Sequence, residues 1–264
     1  MTDIIAEKIN NQKLAEMKAQ QLSLFDPLTN LPNRRLLIER LEEEIARNYR
    51  HRITGALLFI DLDDFKTVND TCGHRVGDLL LQEAAKRLGG DEFVVVLSDL
   101  SPDQITASAQ ANTTTSKILE ILRQPYTIEG QQHQISCSIG IVLFPEESRD
   151  SHDLVKYADI AMCQAKNSGK NTIKQFSSYM QNILEHRLYL QNELRTAIKH
   201  KALSIYLQPQ YNTEWQIISA ETLVHWKHPE KGFISPAEFI PVAEESGQIH
   251  TLGKIVMSLL LERL

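Results

Sequence analysis

The chain has 264 residues, of which 42% are hydrophobic, and its 34 acidic side chains outnumber 28 basic ones, so the formal net charge is −6. That apolar fraction is typical of a folded protein and too high for a disordered one. The acidic balance argues against binding to the phosphate backbone of nucleic acid, which requires a basic face. At about 100–200 residues per domain, the length predicts one large domain or two modest ones.

Targeting signals are not apparent in the sequence. The apolar runs are far shorter than the roughly 20 residues that span a bilayer, and the N-terminus lacks the apolar core of a signal peptide. The cysteines Cys72, Cys137 and Cys163 are odd in number and include no CxxC pair, which favours reduced thiols. These features predict a cytoplasmic protein without a membrane segment.

Residues 4–24 favour a helix in which Leu14, Met17 and Leu24 recur at heptad-like spacing. This pattern is equally compatible with an amphipathic helix that packs on its own domain and with a short dimerising coiled coil.

Hydrophobic periodicity then predicts alternating helices and buried strands. The predicted helices cover 35–47, 76–88, 103–122, 153–166 and 180–200, and the predicted strands cover 56–62, 93–97, 203–207 and 217–224. Residues 126–128 and 134–143, separated by a Glu129–Gly130 turn, predict a hairpin, and Gly169 predicts a helix C-cap. The pattern restarts near 176–180, which predicts a domain boundary there.

Carboxylates follow the predicted strand over 56–62, at Asp61, Asp63 and Asp64. An acidic helix N-cap and a metal site explain this cluster equally well. Asp91 and Glu92 precede the next buried strand, where a polar turn is the plain alternative. Neighbouring strands of one sheet can bring Asp61 and Asp91 together, and paired carboxylates suit Mg²⁺.

Five sequence blocks in this order resemble the diguanylate cyclase domain that is named after its GGDEF signature. The blocks are DPLTNLPNRR, FIDLDDFKTVNDTCGHRVGD, GGDEF, SCSIGIVLFP and ADIAMCQAKNSGKN. The resemblance implies an α/β (α+β) domain over 25–178 with a central, mainly antiparallel sheet, related to the nucleotide cyclase and polymerase palm. It further implies that two GTP molecules are joined into cyclic di-GMP in a homodimer, and that residues 1–24 form a signalling helix.

The resemblance also implies roles for individual residues. Metal ligands for Mg²⁺ (or Mn²⁺) would be Asp61, the Leu62 carbonyl, Asp91 and Glu92, and catalytic residues would be Asp91, Glu92 and Lys66. GTP would be contacted by Asn69, His74, Asp78, Lys166 and Lys170. Of these, Asn69 and Asp78 would read the guanine edge, and the two lysines would lie around the phosphates. Arginine is common in the family at the position of Lys170, so the charge is kept without the bidentate geometry.

The segment before Gly89 departs from this family. Its members place a turn and a strand between the preceding helix and the GGDEF motif, whereas here LLLQEAAKRL runs directly into Gly89. A strand with its connection implies about 10–20 missing residues. We expect the loss to free residues 89–92 and to impair activity, unless the helix end at 86–88 unwinds to replace part of the strand.

Residues 179–264 resemble the opening of an EAL phosphodiesterase domain, a TIM-like barrel that hydrolyses cyclic di-GMP with divalent metals. LSIYLQPQ, AETLVHW and FISPAEFIPVAEESG carry this resemblance. Glu221 matches a metal-binding glutamate and Gln208 a substrate contact, whereas His225 stands where arginine is usual. Because such a barrel needs ~200 residues or more, the roughly 85 present predict an N-terminal fragment with uncovered strand faces.

Three functions remain open at this point. The carboxylates Asp61, Asp91 and Glu92 favour a Mg²⁺-dependent diguanylate cyclase. The missing strand favours a catalytically inactive GGDEF–EAL remnant that regulates or binds nucleotide. A cyclic di-GMP phosphodiesterase would require a completed barrel.

Overall fold

The computed structural model describes residues 24–87, 92–145 and 147–263. The helix predicted over 4–24 lies outside these residues except for Leu24. The backbone divides into two compact units, of which the first ends at Gln181 and the second begins at Asn182. Within the described residues, no helix combines the length and the hydropathy that crossing a membrane requires.

The first unit alternates helices and strands, as the hydrophobic periodicity predicts. Its helices are α1 (Arg34–His51), α2 (Phe65–Cys72), α3 (His74–Arg87), α4 (Gln104–Leu122) and α5 (Ser151–Asn167). Its strands are β1 (Thr54–Leu62), β2 (Glu92–Leu100), β3 (Tyr126–Ile128), β4 (Gln131–His133), β5 (Cys137–Phe144) and β6 (Ile173–Gln175).

Strand β1 lies inside a four-stranded sheet with the order β2–β1–β5–β6. It pairs antiparallel with β2 and with β5, whereas β6 runs parallel to β5. This mixed α/β unit with a mainly antiparallel sheet confirms the predicted fold class. In the described part of the chain, β2 is an edge strand, on the side where the resemblance calls for another strand.

Both faces of β1 are buried, which explains its almost uninterrupted apolar sequence. Leu58 and Ile60 belong to a core that includes residues of α3 and α4. Leu57 and Phe59 point the other way, into a core that includes residues of α1 and α5. The sheet is therefore sandwiched between two helical layers, and the polar end of β1 emerges between them.

The predicted hairpin is wrong in its second strand. β3 pairs with β4, while β5 leaves this hairpin and pairs with β1 instead. The three residues of β4 are polar and partly or fully exposed, so they lack the apolar alternation by which a strand is recognised. The short helix α2 was likewise not predicted.

The second unit contains a three-stranded antiparallel sheet with the order β7–β8–β9. The strands are β7 (Leu203–Tyr211), β8 (Ile217–His228) and β9 (Gly232–Ile234), and the helices are α6 (Ser178–Lys199), which crosses the division between the units, α7 (Pro236–Glu245) and α8 (Ile249–Leu261). Its core gathers around Trp226 and Phe239, whose rings meet edge to face with centroids 5.5 Å apart.

Large apolar side chains remain exposed on this second sheet. They are Tyr206, Leu207, Tyr211, Ile217, Ile218 and Phe233. The prediction of uncovered strand faces is therefore confirmed.

Candidate active site

The three carboxylates at the end of β1 have three different environments. Asp61 is partly buried, Asp63 is buried with 4% exposure, and Asp64 is exposed. Asp61 lies within β1, whereas Asp63 and Asp64 follow the end of the strand, and each carboxylate meets different neighbours. The cluster is therefore more than one acidic helix cap.

Asp61 forms an ion pair with Lys166 at the C-terminal end of α5. The Lys166 Nζ lies 2.8 Å from Asp61 Oδ2, and the two side chains are 34% and 25% exposed. Helix α5 packs against β1 and β5, so its last turn lies beside the end of β1. The structure thus brings together two residues that are 105 positions apart (166 − 61) and to which the family resemblance gives roles at the metal and at the phosphates.

Asp64 forms the second lysine–carboxylate pair. Its Oδ1 accepts a hydrogen bond of 2.6 Å from Lys170 Nζ, and this bond raises the pKa of the lysine. Asp64 occupies the N-cap position of α2 with a left-handed backbone (φ 57°), but its side chain does not cap the helix. The N–H groups of Thr67 and Val68 donate to the Asp64 carbonyl oxygen. An anion at this end of α2 would therefore be met by the N–H groups of Phe65 and Lys66.

Asp63 is held by three hydrogen bonds, none of which the sequence predicted. Ser136 Oγ and Asn171 N–H donate to its Oδ2 at 2.6 and 3.0 Å, and Ser138 Oγ donates to its Oδ1 at 2.7 Å. These donors lie in the SCS and GKN segments that carry the family resemblance. Only the folded sheet shows that these donors surround one acid.

Cys137 lies between the two serines that bind Asp63. Its burial, together with the charges of Asp63 and Asp61, raises the pKa of the thiol to about 12. All three cysteines are free, as predicted.

The residues expected to contact guanine lie along α2 and α3. His74 and Asp78 are exposed at the start of α3, and Asn69 is partly buried in α2. The Asn69 side chain lies against Gly77, because a Cβ added at Gly77 would overlap its Oδ1. Lys66 is exposed in the first turn of α2.

Asp91 lies outside the described residues, and Glu92 is described only through its backbone. Glu92 begins β2 and is paired in register with Asp61. The backbone of Glu92 therefore stays in the sheet, contrary to the expectation that residues 89–92 as a whole are freed.

The helix before the motif ends at a fixed point. Arg87 donates hydrogen bonds to the carbonyl oxygens of Ile121, Gln124 and Pro125, and its guanidinium lies 3.8 Å from the ring centroid of Tyr126. The alternative in which residues 86–88 unwind is thus wrong for Lys86 and Arg87, which remain helical. Only residues 88–91 then connect α3 to β2.

The chemistry of this strand end fits a hard divalent cation. Asp61 contributes carboxylate oxygens, and the adjacent Leu62 contributes a carbonyl. Among the described side chains, no three His, Cys, Asp or Glu residues converge as a complete metal-binding set. Mg²⁺, however, retains waters and takes one or two carboxylates together with substrate phosphates, so a complete protein cage is not required.

The residues expected from the EAL resemblance are neighbours in the second unit. Gln208 on β7 and Glu221 on β8 are cross-strand partners, and both are exposed. His225 on β8 lies edge-on to the ring of Tyr206, with centroids 4.4 Å apart.

Comparison with family models matches both parts of the chain. The model described as "Diguanylate cyclase, GGDEF domain" matches residues 23–172, and the EAL domain model matches residues 191–264.

Similar proteins with curated names come from several bacteria. The bifunctional diguanylate cyclase/cyclic di-GMP phosphodiesterase MucR of Pseudomonas aeruginosa is 40% identical over 251 residues, which are 90% of this chain and 36% of MucR. The cyclic di-GMP phosphodiesterase PdeR of Escherichia coli is 35% identical over 262 residues, which are 94% of this chain and 38% of PdeR. The chain thus spans little more than a third of these relatives.

Solved structures resemble the first unit. The GGDEF domain of TpbB (YfiN) from Pseudomonas aeruginosa superposes with a TM-score of 0.57 at 32% identity, covering 61% of this chain and 99% of that domain. A sensory box/GGDEF family protein from Caulobacter crescentus gives a TM-score of 0.51 at 37% identity, covering 55% of this chain and 99% of its own.

Proposed function

Because the chain belongs to the GGDEF family of diguanylate cyclase domains and continues into part of an EAL domain, we propose that its first unit binds GTP with Mg²⁺ (or Mn²⁺) and joins two GTP molecules into cyclic di-GMP. The observation that carries this proposal is the convergence of Asp61–Lys166 and Asp64–Lys170 beside the uncapped start of α2. Carboxylates that can bind a metal ion and lysines that can bind a triphosphate thus lie together at the end of β1.

The phosphate side of the proposal rests on the two lysines and on α2. Lys166 and Lys170 form ion pairs with Asp61 and Asp64. When nucleotide binds, both ammonium groups turn to the triphosphate, and the N-terminal amides of α2 point to the same anion. Lys66, in the first turn of α2, adds a third positive charge.

The bound cation would neutralise the triphosphate charge and polarise the α-phosphate for attack. Asp61 and the Leu62 carbonyl would hold it, with Asp91 and Glu92 added from the resemblance. Lys166 must leave Asp61 as this happens, so cation and nucleotide binding favour each other. Asp91 would take the proton of the attacking 3′-hydroxyl.

Guanine recognition is assigned to Asn69 and Asp78, with His74 nearby. An amide and a carboxylate complement the donors and acceptor of the guanine edge. The contact of Asn69 with Gly77 supports this role, because it fixes the amide before nucleotide arrives.

The reaction requires two copies of the domain, since each holds one GTP and supplies a hydroxyl to the other. We therefore propose a homodimer as the active form. If it is, the rate per protein molecule rises with protein concentration, whereas a rate independent of concentration over the dissociation range contradicts the dimer.

Binding is tested by calorimetry with guanosine 5′-(α,β-methylene)triphosphate, which resists cleavage, in the presence and absence of Mg²⁺. Asp61→Asn should weaken the Mg²⁺-dependent affinity at least about tenfold, because a hard cation loses a charged ligand. The matched control is Asp99→Asn, since Asp99 is also ion-paired, to Arg47, but lies on β2 near the opposite end of β1. Equal affinity of all three chains would place the site elsewhere.

A second function, nucleotide binding with only slow turnover, is favoured by the connection between α3 and β2. Arg87 is anchored by three hydrogen bonds, and the four residues between it and β2 stand where the family resemblance calls for a turn and a further strand. Catalytic groups generally need placement within about 0.5 Å. We expect the chain to bind GTP but to turn it over slowly.

The EAL part supports a role of the chain in cyclic di-GMP signalling. It does not support a phosphodiesterase activity of the second unit itself. Relatives named as phosphodiesterases match this chain over about a third of their length. Gln208 and Glu221 lie together, but they supply a single carboxylate, which is too few for a pair of catalytic metals.

A further inference from the structure

We propose that Asp63 is a positioning residue that holds the loop after α5 and thereby aims Lys170 at the nucleotide. This inference rests on the proposed function, because it concerns how that same site is kept in shape. Asp63 itself is buried beneath the site, with 4% exposure, and is therefore not available to the nucleotide.

Asp63 is first fixed to the sheet. Its backbone N–H donates to the carbonyl oxygen of Ser136, and its carboxylate accepts bonds from the hydroxyls of Ser136 and Ser138. Ser138 is fully buried in β5. A buried carboxylate with short, charge-assisted bonds is held in one orientation.

From this fixed position, Asp63 reaches the loop between α5 and β6. Its Oδ2 accepts a 3.0 Å hydrogen bond from the backbone N–H of Asn171. The neighbouring Lys170 then reaches Asp64 Oδ1 at 2.6 Å. Two consecutive acids at the end of β1 thus hold two consecutive residues of the loop, one through its backbone and one through its side chain.

The loop needs such support, because it turns through an unfavourable backbone conformation. Lys170 and Asn171 have φ angles of 61° and 46°, and they follow Gly169 with a φ of 109°. Residues with side chains adopt the left-handed region only when surrounding contacts hold them there. The bond from Asn171 to Asp63 is such a contact. The Lys170 N–H also donates to the Ala165 and Lys166 carbonyl oxygens, which hold the loop to α5, whereas the bond to Asp63 holds it to the end of β1. Without the bond to Asp63, Lys170 is aimed at the site less accurately.

The test compares substitutions at residue 63 by calorimetry with guanosine 5′-(α,β-methylene)triphosphate and Mg²⁺. Asp63→Ala should weaken binding about tenfold, as is typical when the partner of a binding residue is removed. Asp63→Asn should restore affinity to within about threefold of wild type, since an amide oxygen can still accept from Ser136 and Asn171 while its NH₂ donates to Ser138.

A double substitution separates positioning from general destabilisation. If Asp63 acts through Lys170, then adding Asp63→Ala to Lys170→Ala should cause little further loss of affinity. Thr115→Val is the matched control, because it also removes a buried hydroxyl bond, within α4 to the Ala111 carbonyl, but at a distance in sequence from the site. This control should leave affinity unchanged.

Hydrogen exchange of the ligand-free chain provides a readout that does not depend on nucleotide. Asp63→Ala should accelerate exchange over residues 168–172 while β1 and β5 remain protected. Unchanged exchange there, full additivity with Lys170→Ala, or wild-type affinity of Asp63→Ala would each overturn the positioning role. If the wild-type chain itself shows no Mg²⁺-dependent binding, the proposed function is wrong, whereas faster exchange would still establish that Asp63 holds the loop.

Discussion

Gly140→Ala tests how closely α5, which carries Lys166, must lie on the sheet. Gly140 is buried in β5, and an added Cβ would lie 2.0 Å from the Ala158 carbonyl oxygen and 2.4 Å from the Met162 backbone nitrogen. Both are backbone atoms of a helix, so no side-chain rotation can relieve the overlap. Since heavy atoms attract one another best beyond about 3.5 Å, α5 would have to retreat by roughly 1–1.5 Å.

We expect this retreat to cost about 3 kcal/mol of the free energy of unfolding of the first unit, at the upper end of overpacking effects. The matched control is Gly130→Ala. Gly130 has a φ of 79° and no atom within 4 Å of an added Cβ, so the control suffers backbone strain of about 1–2 kcal/mol without overlap. The difference between the two variants isolates the contact between helix and sheet.

The assay is a urea titration followed by hydrogen exchange of β1 and β5. Both tryptophans, Trp215 and Trp226, lie in the second unit, so their fluorescence provides an internal reference that Gly140→Ala should not shift. Nucleotide affinity of Gly140→Ala should also fall, because Lys166 moves with α5. The reasoning is refuted if Gly140→Ala destabilises the first unit no more than Gly130→Ala does.

Three further predictions address the second unit, the buried thiol and the EAL residues. Gly253→Ala in α8 should stabilise the second unit by about 0.5–1 kcal/mol, because alanine favours a helix more than glycine does and the added Cβ meets no atom within 4 Å. The urea midpoint followed by tryptophan fluorescence measures this effect, and a lower midpoint contradicts it. The pKa of the Cys137 thiol is raised to about 12 in the folded chain, whereas an unfolded thiol has a pKa of about 8.5. At a pH above about 8.5, the folded chain therefore keeps a proton that the unfolded chain loses. Stability should therefore fall as pH rises from about 9 toward 12, by at most about 1.4 kcal/mol per unit, and the slope between pH 9 and 10.5 should be shallower in Cys137→Ala; equal slopes would count against this cause. The chain should form no linear pGpG from cyclic di-GMP with Mg²⁺ or Mn²⁺, and metal-dependent product that disappears in Glu221→Gln would show otherwise.

The sequence alone predicted β1 and β2 of the sheet, but not β6 or the pairing of β5 with β1. An apolar run that ends in carboxylates predicted the buried strand β1 and its terminal acids. The family resemblance then pointed to Lys166 in α5 and Lys170 in the following loop. Strand β4 was missed because its polar residues carry no hydrophobic period. The bonds of Asp63 were missed because Ser136, Ser138 and Asn171 are 73–108 positions away from it, and only the folded sheet brings them together.

The connection before the GGDEF motif is understood only when the family resemblance and the structure are considered together. The family resemblance predicts that a segment is missing, and the structure shows how the flanking residues are held. Arg87 donates to carbonyl oxygens at the end of α4 and in the loop before β3, and Glu92 is paired with Asp61. Residues 88–91, which include Asp91, therefore connect two anchored positions of the chain. A site that binds but reacts slowly is the expected consequence.

The most direct measurement is cyclic di-GMP formation from GTP and Mg²⁺ by two chains side by side, the present one and one with a strand-length segment from an active relative inserted between Leu88 and Gly89. We predict slow turnover in the first and a sharp increase in the second, with Asp61→Asn abolishing product in both. If the chain without the insertion already matches the other in rate, the missing segment is dispensable and the account of the short connection is wrong. If the inserted chain binds GTP but Asp61→Asn leaves its product formation unchanged, the end of β1 is not the catalytic centre.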